Sequence, residues 1–557
     1  MNVGGGTNED ADPARAVYDA SMYNYKYSCV STTNDCYVEI PSLVVDSNEA
    51  SDAPGSTTAP RRTERGAKGA RRFGVAARAF DMASPTPELL VEAAGSVRVV
   101  TLNRPAKLNV LSLEMVDGLH ALWSSWAADP EVLCVVLRGA SGARPCLCAG
   151  GDVRAVHDAR PPPGDPLRGS DTFLASALEF FEREYAMNAL LAESPLAHVA
   201  VMDGIVMGGG CGVSVHGAFR VATERTALAM PETLIGFVPD VGGTKFLVDA
   251  PGELGTLLAL TGHTIDGEDA KACGLATHVV DAATLPALVP ELVKALEPLA
   301  RCGERNRSDV GERTHHPSDD EDDVDDDDDD ARDPRREAAR DAVRAVLSRL
   351  ESASDATRRR LKVDVDESES ERHAADDASR SRATNGNVKN RTLRARRADV
   401  DVWFGGADAS SIESRLSRAV AADPRDALAA ECLAALRAAS PASVAVALAM
   451  VRAARREKRT LRECLAAELR AAAARLAGED FFEGVRAKLV DKGRGEAPRW
   501  EPLDDERRLR GVLEAHADET LAGAAARDAA KRLEAAFARL DDARRARRRR
   551  RGRGPRL

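Results

Sequence analysis

Between residues 95 and 300 the chain alternates short apolar runs with segments whose apolar residues recur at helical spacing. Val97–Leu102 and Leu133–Leu137 are rich in β-branched residues and bounded by turn residues, so we predict that they form buried strands. Leu113–Trp126 repeats apolar residues every three or four positions and predicts a helix. The same criteria predict two more strands and a helix, at Ala197–Met202, Arg220–Ala222 and Leu254–Leu260. Alternating strands and helices favour an α/β layer architecture.

The sequence from residue 398 to about 540 is rich in Ala, Leu and Arg, and its apolar residues recur with a helical period. We predict a helical domain there, with helices over Ile412–Val420, Ala427–Ala438, Val444–Ala454 and Leu461–Leu476. An Arg-rich tail follows over 541–557 and holds nine arginines from Arg544 to Arg556.

Residues 304–397 separate these two patterned regions. They contain an acidic run, in which eleven of the twelve residues from Asp319 to Asp330 are Asp or Glu, and a stretch rich in Ser, Asp, Arg and Asn. Such segments bury too little apolar surface to offset the entropy lost on ordering. We therefore predict a largely disordered, acidic insert with one short helix, at Arg336–Leu350, between an α/β core over 86–303 and the helical domain.

Composition and charge exclude several classes of protein. The 557 residues carry a formal net charge of −11, but the acidic run accounts for that imbalance, so charge indicates neither a nucleic-acid nor a membrane partner. No apolar run approaches the roughly 18–20 residues of a membrane-spanning helix. The ten cysteines lack zinc-ligand spacing, and the chain is too long for a disulfide scaffold. We predict reduced thiols, an intracellular compartment and no metal site.

Residues 1–85 lack a periodic apolar pattern and are predicted to form a disordered extension. Within it, Arg61 to Phe80 is strongly basic, with Glu64 as its only acid, which is typical of an organelle transit peptide. The acidic stretch before it does not fit that class, so a transit segment and a plain disordered tail stay open as alternatives. The final Pro555 to Leu557 is a weak variant of the S-K-L peroxisomal signal. We favour a mitochondrial location, with the peroxisome as the alternative.

Two Gly-rich turns are candidates for binding an oxyanion. Cys148 to Asp152 reads CAGGD and follows a predicted strand, and Met207 to Gly212 reads MGGGCG and precedes an apolar helical stretch. Glycine lets the backbone approach a substrate closely, and N–H groups at a helix N-terminus carry partial positive charge. Taken alone, either turn is more often structural. Neither is a phosphate loop, because G-x-x-x-x-G-K-S/T is absent.

The order of the short motifs along the chain resembles that of the crotonase (enoyl-CoA hydratase/isomerase) superfamily. The motifs are NRP (103–105), CAGGD (148–152), GIVMGGGCG (204–212), MPET (230–233), GFVPDVGG (236–243) and ALTG (259–262). Three further segments are similar to the thioester-hydrolysing branch: SVHGAFRVATE (214–224), DFFEGVRAKLVDK (480–492) and PRWEP (498–502). The resemblance covers about three-fifths of the chain and implies a spiral of β-β-α turns, followed by a helical region that packs against it.

By position, the resemblance implies roles for five residues. The backbone amides of Gly151 and Gly209 would form an oxyanion hole. Glu232 would be the central carboxylate and would either attack the thioester or activate water, and both alternatives stay open. Asp240 would assist proton transfer or positioning, and Glu184 would bind the acyl hydroxyl of the substrate. The competing interpretation of each acid is a solvated surface residue or a helix cap.

Two departures from the hydratases favour a hydrolase. Hydratases of the superfamily carry a second catalytic glutamate where this chain has Gly212, and many relatives have glycine where this chain has Asp240. One further departure concerns the first Gly-rich turn, which reads ARPCLCAGGD. It is one residue longer than usual, with Leu147 in place of Phe, and could displace the Gly151 amide. We interpret His216 as a packed histidine and not as a base.

The resemblance implies hydrolysis of 3-hydroxyisobutyryl-CoA to 3-hydroxyisobutyrate and CoA, a step of valine breakdown, with an acyl-CoA substrate and no cofactor. A related acyl-CoA hydrolase or hydratase is the second alternative. The third is a structural subunit of the mitochondrial ribosome, in which the Arg-rich tail would contact RNA. No other nucleic-acid or membrane partner is predicted, and a homo-oligomer is compatible with the family.

Overall fold

The structure is a computed structural model that describes residues 84–308, 333–373, 392–503, 510–511, 513 and 524–552. Almost all of the predicted N-terminal extension, with its basic segment, lies outside the described residues. So do positions 309–332 and 374–391 of the predicted insert and the last five residues of the tail.

The strands of the described chain form two sheets. They are β1 (Leu89–Ala94), β2 (Val97–Leu102), β3 (Cys134–Gly139), β4 (Cys146–Cys148), β5 (Ala197–Met202), β6 (Ile205–Met207), β7 (Phe219–Ala222), β8 (Ala227–Ala229) and β9 (His278–Val279). One sheet has six strands in the order β1-β2-β3-β5-β7-β9, and the other has three in the order β4-β6-β8. Only β1 and β2 pair antiparallel; the remaining ladders are parallel.

The chain alternates between these sheets in a regular way. Each of three successive turns places one strand in the large sheet and the next in the small sheet, as β3–β4, β5–β6 and β7–β8. The predicted spiral of turns is therefore confirmed. The motifs CAGGD, MGGGCG and MPET come at the ends of β4, β6 and β8, the three strands of the small sheet, so repetition of the turn brings these distant motifs to one place.

Within the described part of the chain, nine α-helices accompany the spiral. They are α1 (Leu113–Ala128), α2 (Val153–Asp158), α3 (Asp171–Glu193), α4 (Gly209–Ser214), α5 (Gly243–Val248), α6 (Leu254–Thr261), α7 (Gly267–Ala272), α8 (Leu285–Ser308) and α9 (Pro334–His373). The C-terminal region adds α10 (Arg397–Phe404), α11 (Ala409–Ala422), α12 (Ala427–Ala438), α13 (Pro441–Glu457), α14 (Leu461–Ala477), α15 (Asp480–Val485) and α16 (Ala524–Gly552). A π-helical turn at Arg486–Val490 continues α15.

The large sheet is covered on both faces, which explains why its strands are apolar throughout. Val97 and Val99 of β2 contribute to one buried cluster, and Val100 and Leu102 contribute to another, as the two-residue period of a strand requires. Helices α8 and α9 cover the first face, and α1, α3 and the C-terminal helices share the cluster on the second.

Helix α9 changes the predicted limits of the insert. We predicted a short helix at Arg336–Leu350 inside a largely disordered segment, but the helix runs from Pro334 to His373, and its first half packs on the sheet. Ala339, Val343 and Leu347 recur at helical spacing and are fully buried against β2, β3 and β5. The predicted helix already contains this apolar stripe, and the difference lies in the bounds, which reach Pro334 and His373.

The C-terminal helices do not form a separate core. Leu465 and Leu469 of α14 and Leu533 and Phe537 of α16 belong to the same buried cluster as the α/β core. Helix α16 packs along α3 and extends to Gly552, so the first part of the predicted Arg-rich tail, from residue 541, is helical.

Within the described residues, no single helix is long and apolar enough to cross a membrane. Helices α12 and α13 reach that length and composition only together, and they are bent by 113° at their junction.

Candidate active site

The first Gly-rich turn keeps its position because a β-bulge absorbs its extra residue. Strand β4 pairs with β6 through Cys146 opposite Ile205 and Cys148 opposite Val206, so β4 advances two residues for one on β6. Leu147, which stands in place of Phe just before Cys148, is the bulged residue. The predicted displacement of Gly151 is therefore not observed, and Gly151 lines the central pocket.

The NRP motif fixes the same turn from the other side. Arg104 forms ion pairs with Asp152 at 3.0 Å and with Glu88 at 2.9 Å, and it donates to the Val110 carbonyl at 2.9 Å. Asp152 directly follows Gly151 and caps α2 by accepting from the Ala155 N–H. The arginine of this motif thus anchors the residue next to the candidate oxyanion donor.

The second Gly-rich turn brings another amide beside the first. Gly208 has φ of +50°, which favours glycine, and Gly209 is the first residue of α4, where the N–H has no partner within the helix. A Cβ built on Gly209 would lie 3.0 Å from the Gly151 nitrogen. Among the described backbone bonds outside regular elements, neither the Gly151 nor the Gly209 N–H is a donor. The two N–H groups are therefore available for one carbonyl oxygen.

All three predicted carboxylates line the same cavity of about 260 Å³. Glu184 comes from α3, Glu232 opens a 3-10 turn after β8, and Asp240 lies in the loop before α5. Each is almost completely buried, with exposed fractions of 2%, 6% and 5%. The interpretation of these acids as solvated surface residues or helix caps is therefore wrong.

Two of these carboxylates keep an unused oxygen. Glu184 Oε1 and Glu232 Oε2 are buried without a hydrogen-bond partner within the described chain. Buried polar atoms are normally satisfied, and exceptions concentrate at functional sites. Both oxygens belong to side chains of the cavity wall, so a ligand in the cavity could supply the missing partners.

Burial and mutual repulsion act on all three acids in the same direction. Burial, reinforced by the charge of Asp240, raises the pKa of Glu184 and the pKa of Glu232 well above the usual range. Burial is also the main cause that raises the pKa of Asp240 to about 8, although the Tyr185 hydroxyl opposes this by donating to its carboxylate. The site therefore holds carboxyl groups able to exchange protons near neutral pH.

The structure adds site residues that the sequence did not reveal. The Tyr185 hydroxyl donates to Asp240 Oδ2 at 2.7 Å from the helix that carries Glu184. Half-buried Lys488 and exposed Lys492, from the π-helical turn and the residues after it, line the same pocket. Tyr185 lies one position after Glu184, and the two lysines lie within the DFFEGVRAKLVDK segment. Their location in or beside these segments was the only feature of the sequence that pointed to them.

The C-terminal region completes the pocket by direct contact with the Glu232 turn. Gly484 of α15 lies so close to this turn that an added Cβ would be 2.3 Å from the Ile235 carbonyl carbon. A Cβ on Gly236 would likewise be 2.2 Å from the Asp480 carbonyl oxygen. The spiral and the helical region therefore build one site together.

The space around Gly212, where hydratases of the superfamily carry a second catalytic glutamate, is filled by neighbouring side chains. A Cβ built on Gly212 would lie 2.7 Å from Val241 Cβ and 2.9 Å from Asn188 Nδ2. Both neighbours are fully or almost fully buried, so a glutamate side chain does not fit there without moving the loop that carries Asp240.

His216 is half-buried and packs against Phe246. Its Nε2 donates to the Val241 carbonyl at 2.7 Å, since a carbonyl oxygen can only accept. Burial lowers the pKa of His216 to about 4, so the ring is neutral at pH 7.

Comparison with known families gives the class of protein. The family model described as Enoyl-CoA hydratase/isomerase matches residues 97–370 and, in a second segment, 338–516. The chain therefore belongs to the enoyl-CoA hydratase/isomerase family and has its crotonase-like α/β fold.

Solved structures agree with this fold. A carnitinyl-CoA dehydratase from Mycobacterium thermoresistibile is 28% identical, with a TM-score of 0.54 over 77% of this chain and 96% of that one. An enoyl-CoA hydratase from Rhodobacter sphaeroides is also 28% identical, with a TM-score of 0.52 over 76% and 97%.

Similar curated proteins carry a more specific name. A mitochondrial 3-hydroxyisobutyryl-CoA hydrolase from Xenopus tropicalis is 44% identical over 42% of this chain and 56% of its own length. The rat protein of that name is 43% identical over 39% and 53%. The cattle protein is 32% identical over 75% of this chain and 85% of its own length. The chain thus spans about half the length of the first two relatives and most of the third.

Proposed function

We propose that this protein hydrolyses the thioester of 3-hydroxyisobutyryl-CoA to 3-hydroxyisobutyrate and CoA, as a step of valine breakdown. The observation that carries the proposal is the convergence of two unused backbone N–H groups and three buried carboxyl groups in one small cavity. Relatives with that activity in their names support the choice of substrate.

In the proposed complex, the thioester oxygen accepts from the N–H groups of Gly151 and Gly209. These donors face the position at which negative charge develops when the carbonyl carbon becomes tetrahedral. In this complex the bound CoA moiety extends out of the cavity past Lys488 and Lys492, whose positive charges suit its phosphate groups. No cofactor enters the reaction.

Glu232 carries the central step in either of two ways. As a nucleophile, it forms a bond to the carbonyl carbon, the C–S bond breaks, and water then hydrolyses the acyl anhydride. As a base, it takes a proton from water, and the resulting hydroxide attacks the same carbon. Both routes use the unpartnered Oε2, and both consume one water for each thiol released.

Asp240 is placed to supply the proton for the departing sulfur. Because its pKa lies at about 8, most Asp240 carboxyl groups are protonated at pH 7 and can donate to a thiolate. The hydrogen bond from Tyr185 fixes the orientation of this carboxyl group.

The decisive experiment follows free thiol and enoyl absorbance in parallel for the purified full-length protein. We expect rapid thiol release from 3-hydroxyisobutyryl-CoA and no measurable hydration of crotonyl-CoA, because Gly212 leaves no room for the second carboxylate. Hydration without thiol release would contradict the proposal. Release from another acyl-CoA alone would keep the reaction and replace the substrate.

Glu184 is expected to recognise the hydroxyl group of the acyl chain. Replacement by alanine should lower kcat/KM for 3-hydroxyisobutyryl-CoA by about 10- to 100-fold more than for isobutyryl-CoA, which lacks the hydroxyl, because only the former loses a charge-assisted hydrogen bond. Steady-state kinetics with both substrates measures this ratio. The alanine cavity affects both substrates, so an equal loss for each would refute hydroxyl recognition.

We propose a mitochondrial location, since the relatives from Xenopus, rat and cattle are mitochondrial by name and the segment from Arg61 to Phe80 is basic. The peroxisome is the alternative, through the Pro-Arg-Leu ending. Imaging of the chain tagged internally and of a variant without residues 61–80 separates the two locations.

A further inference from the structure

A fourth buried carboxylate lies behind the pocket wall. Glu468 of α14 is fully buried, and it accepts from the backbone N–H groups of Gly242 at 2.7 Å and Thr244 at 2.8 Å. These donors stand two and four residues after Asp240. A single side chain of the C-terminal region therefore accepts hydrogen bonds from two backbone N–H groups, those of Gly242 and Thr244, at the start of α5.

The turn held in this way is strained. Val241, between Asp240 and Gly242, has φ of +54°, a conformation that a β-branched residue rarely adopts. Such residues persist only where the surroundings fix them. Here Glu468 binds the residue after Val241, and His216 binds the Val241 carbonyl at 2.7 Å. The Val241 side chain also packs against Gly212.

The charge of Glu468 also acts on the site. Its carboxylate repels those of Asp240 and Glu232 and acts on Tyr185 and Cys464. Charged groups on the neighbouring elements are already engaged in ion pairs: Lys245 with Asp249, Arg452 and Arg455 with Glu253, and Arg462 with Glu193 and Asp541. The described polar contacts of Glu468 are thus the backbone N–H groups of Gly242 and Thr244 and the Thr244 side chain, without a cationic side chain.

We propose that Glu468 is a positioning residue of the hydrolase: it holds the strained turn that presents Asp240 to the substrate, and its charge sets the pH range in which Asp240 carries a proton. This inference rests on the proposed function of Asp240. The C-terminal region thereby controls a group of the α/β core, in addition to closing the pocket.

The ionisation of the two acids fits this arrangement. Burial raises the pKa of Glu468 to about 7, although its two backbone hydrogen bonds oppose the shift. Above that pH, a charged Glu468 keeps the pKa of Asp240 high. Removing the charge should therefore lower the pKa of Asp240.

The kinetic test compares the full-length parent with Glu468→Gln. The amide cannot accept from both N–H groups, so kcat should fall about 10- to 100-fold while KM changes less than about threefold. The alkaline limb of the kcat/KM profile, which reports the free enzyme and lies near pH 8 in the parent, should move down by roughly one pH unit. Glu182→Gln is the matched control, because Glu182 is also buried but pairs with Arg532 of α16. An unmoved limb in Glu468→Gln would overturn the proposal.

A second measurement needs no substrate. Because the pKa of Asp240 is raised on folding, its contribution to stability is present at acid pH and is lost as pH rises through about 8. Asp240→Asn should therefore stabilise the parent increasingly as pH rises from about 4 to about 8, with a constant gain above that, measured by urea unfolding. In the Glu468→Gln background this gain should be smaller.

Equal stabilisation by Asp240→Asn in the two backgrounds would refute the inference, whether or not the parent hydrolyses any thioester. If the stabilisation is unequal but the parent is inactive, only the proposed function is refuted. Should Glu468→Gln fail to fold, all variants of the cycle are made in a Val241→Gly background. Glycine adopts the positive φ at this position without strain.

Discussion

Replacement of Glu232 by alanine is expected to lower the rate of CoA release from 3-hydroxyisobutyryl-CoA by about 10³-fold or more. Both proposed routes need a carboxylate oxygen of Glu232 at the reacting carbon or its attacking water. The unpartnered Oε2 is the atom placed for this role, since Oε1 lies near Gly208. A residual rate above the uncatalysed reaction should remain, because the N–H groups of Gly151 and Gly209 are unaffected.

The loss should not result from unfolding. Burial, reinforced by repulsion from Asp240 and Glu184, raises the pKa of Glu232 well above its usual range. Removing a carboxylate from such a cluster relieves an unfavourable interaction, so thermal stability should be retained or increase at pH 8. Glu92→Ala, which removes an exposed carboxylate paired with Arg138 on the opposite side of β2, is the matched control. A Glu232→Ala enzyme with nearly full activity would refute the central role.

Single-turnover reactions in ¹⁸O-labelled water distinguish the two routes. If Glu232 attacks directly and water then adds to the Glu232 carbonyl carbon of the anhydride, the label enters its carboxylate, whereas activation of water leaves the enzyme unlabelled. Label in the enzyme therefore identifies the nucleophilic route. Mass spectrometry of the peptide that contains MPET reads the result.

Long, regular elements were predictable from the sequence alone. The strands β2 and β5 have the predicted bounds because each is a short, nearly continuous apolar run. The helix α12 has them because its apolar residues recur at helical spacing. The small sheet could not be predicted, since β4, β6 and β8 have only three residues each and show no period. Yet those strands position the Gly-rich turns, so the sequence revealed the motifs but not the feature that brings them together.

The candidate site shows the same limit. Motif order gave the residues that line the pocket, but pattern analysis missed Glu468, which lies more than two hundred positions from Asp240. One signal was present. Glu468 stands on the apolar face of α14, between Leu465 and Ala472, where a charged residue is rarely buried without a partner. The partners are backbone N–H groups of a distant turn, which no side-chain pattern can reveal.

A substitution in the proposed oxyanion hole is expected to cause the second large loss of activity. Gly209→Ala should reduce kcat/KM by about 10²-fold or more. The added Cβ would lie 2.5 Å from Glu184 Oε1, 3.0 Å from the Gly151 nitrogen and 3.2 Å from the Gly150 carbonyl carbon. The Glu184 side chain can rotate away, but the other two atoms are backbone and cannot move independently of the turn. The two N–H groups should therefore separate and lose their common acceptor.

Gly478→Ala is the matched control for this substitution. Gly478 ends α14 with φ of −90°, and a Cβ there would meet no atom closer than 3.7 Å, so both stability and activity should be unchanged. Circular dichroism and thermal unfolding check that Gly209→Ala is folded, which alanine at the first position of a helix favours. Full activity of a folded Gly209→Ala enzyme would mean that the carbonyl oxygen is not bound between the two turns. The thioester would then have to lie elsewhere in the cavity, with Glu232 acting on it from a different direction.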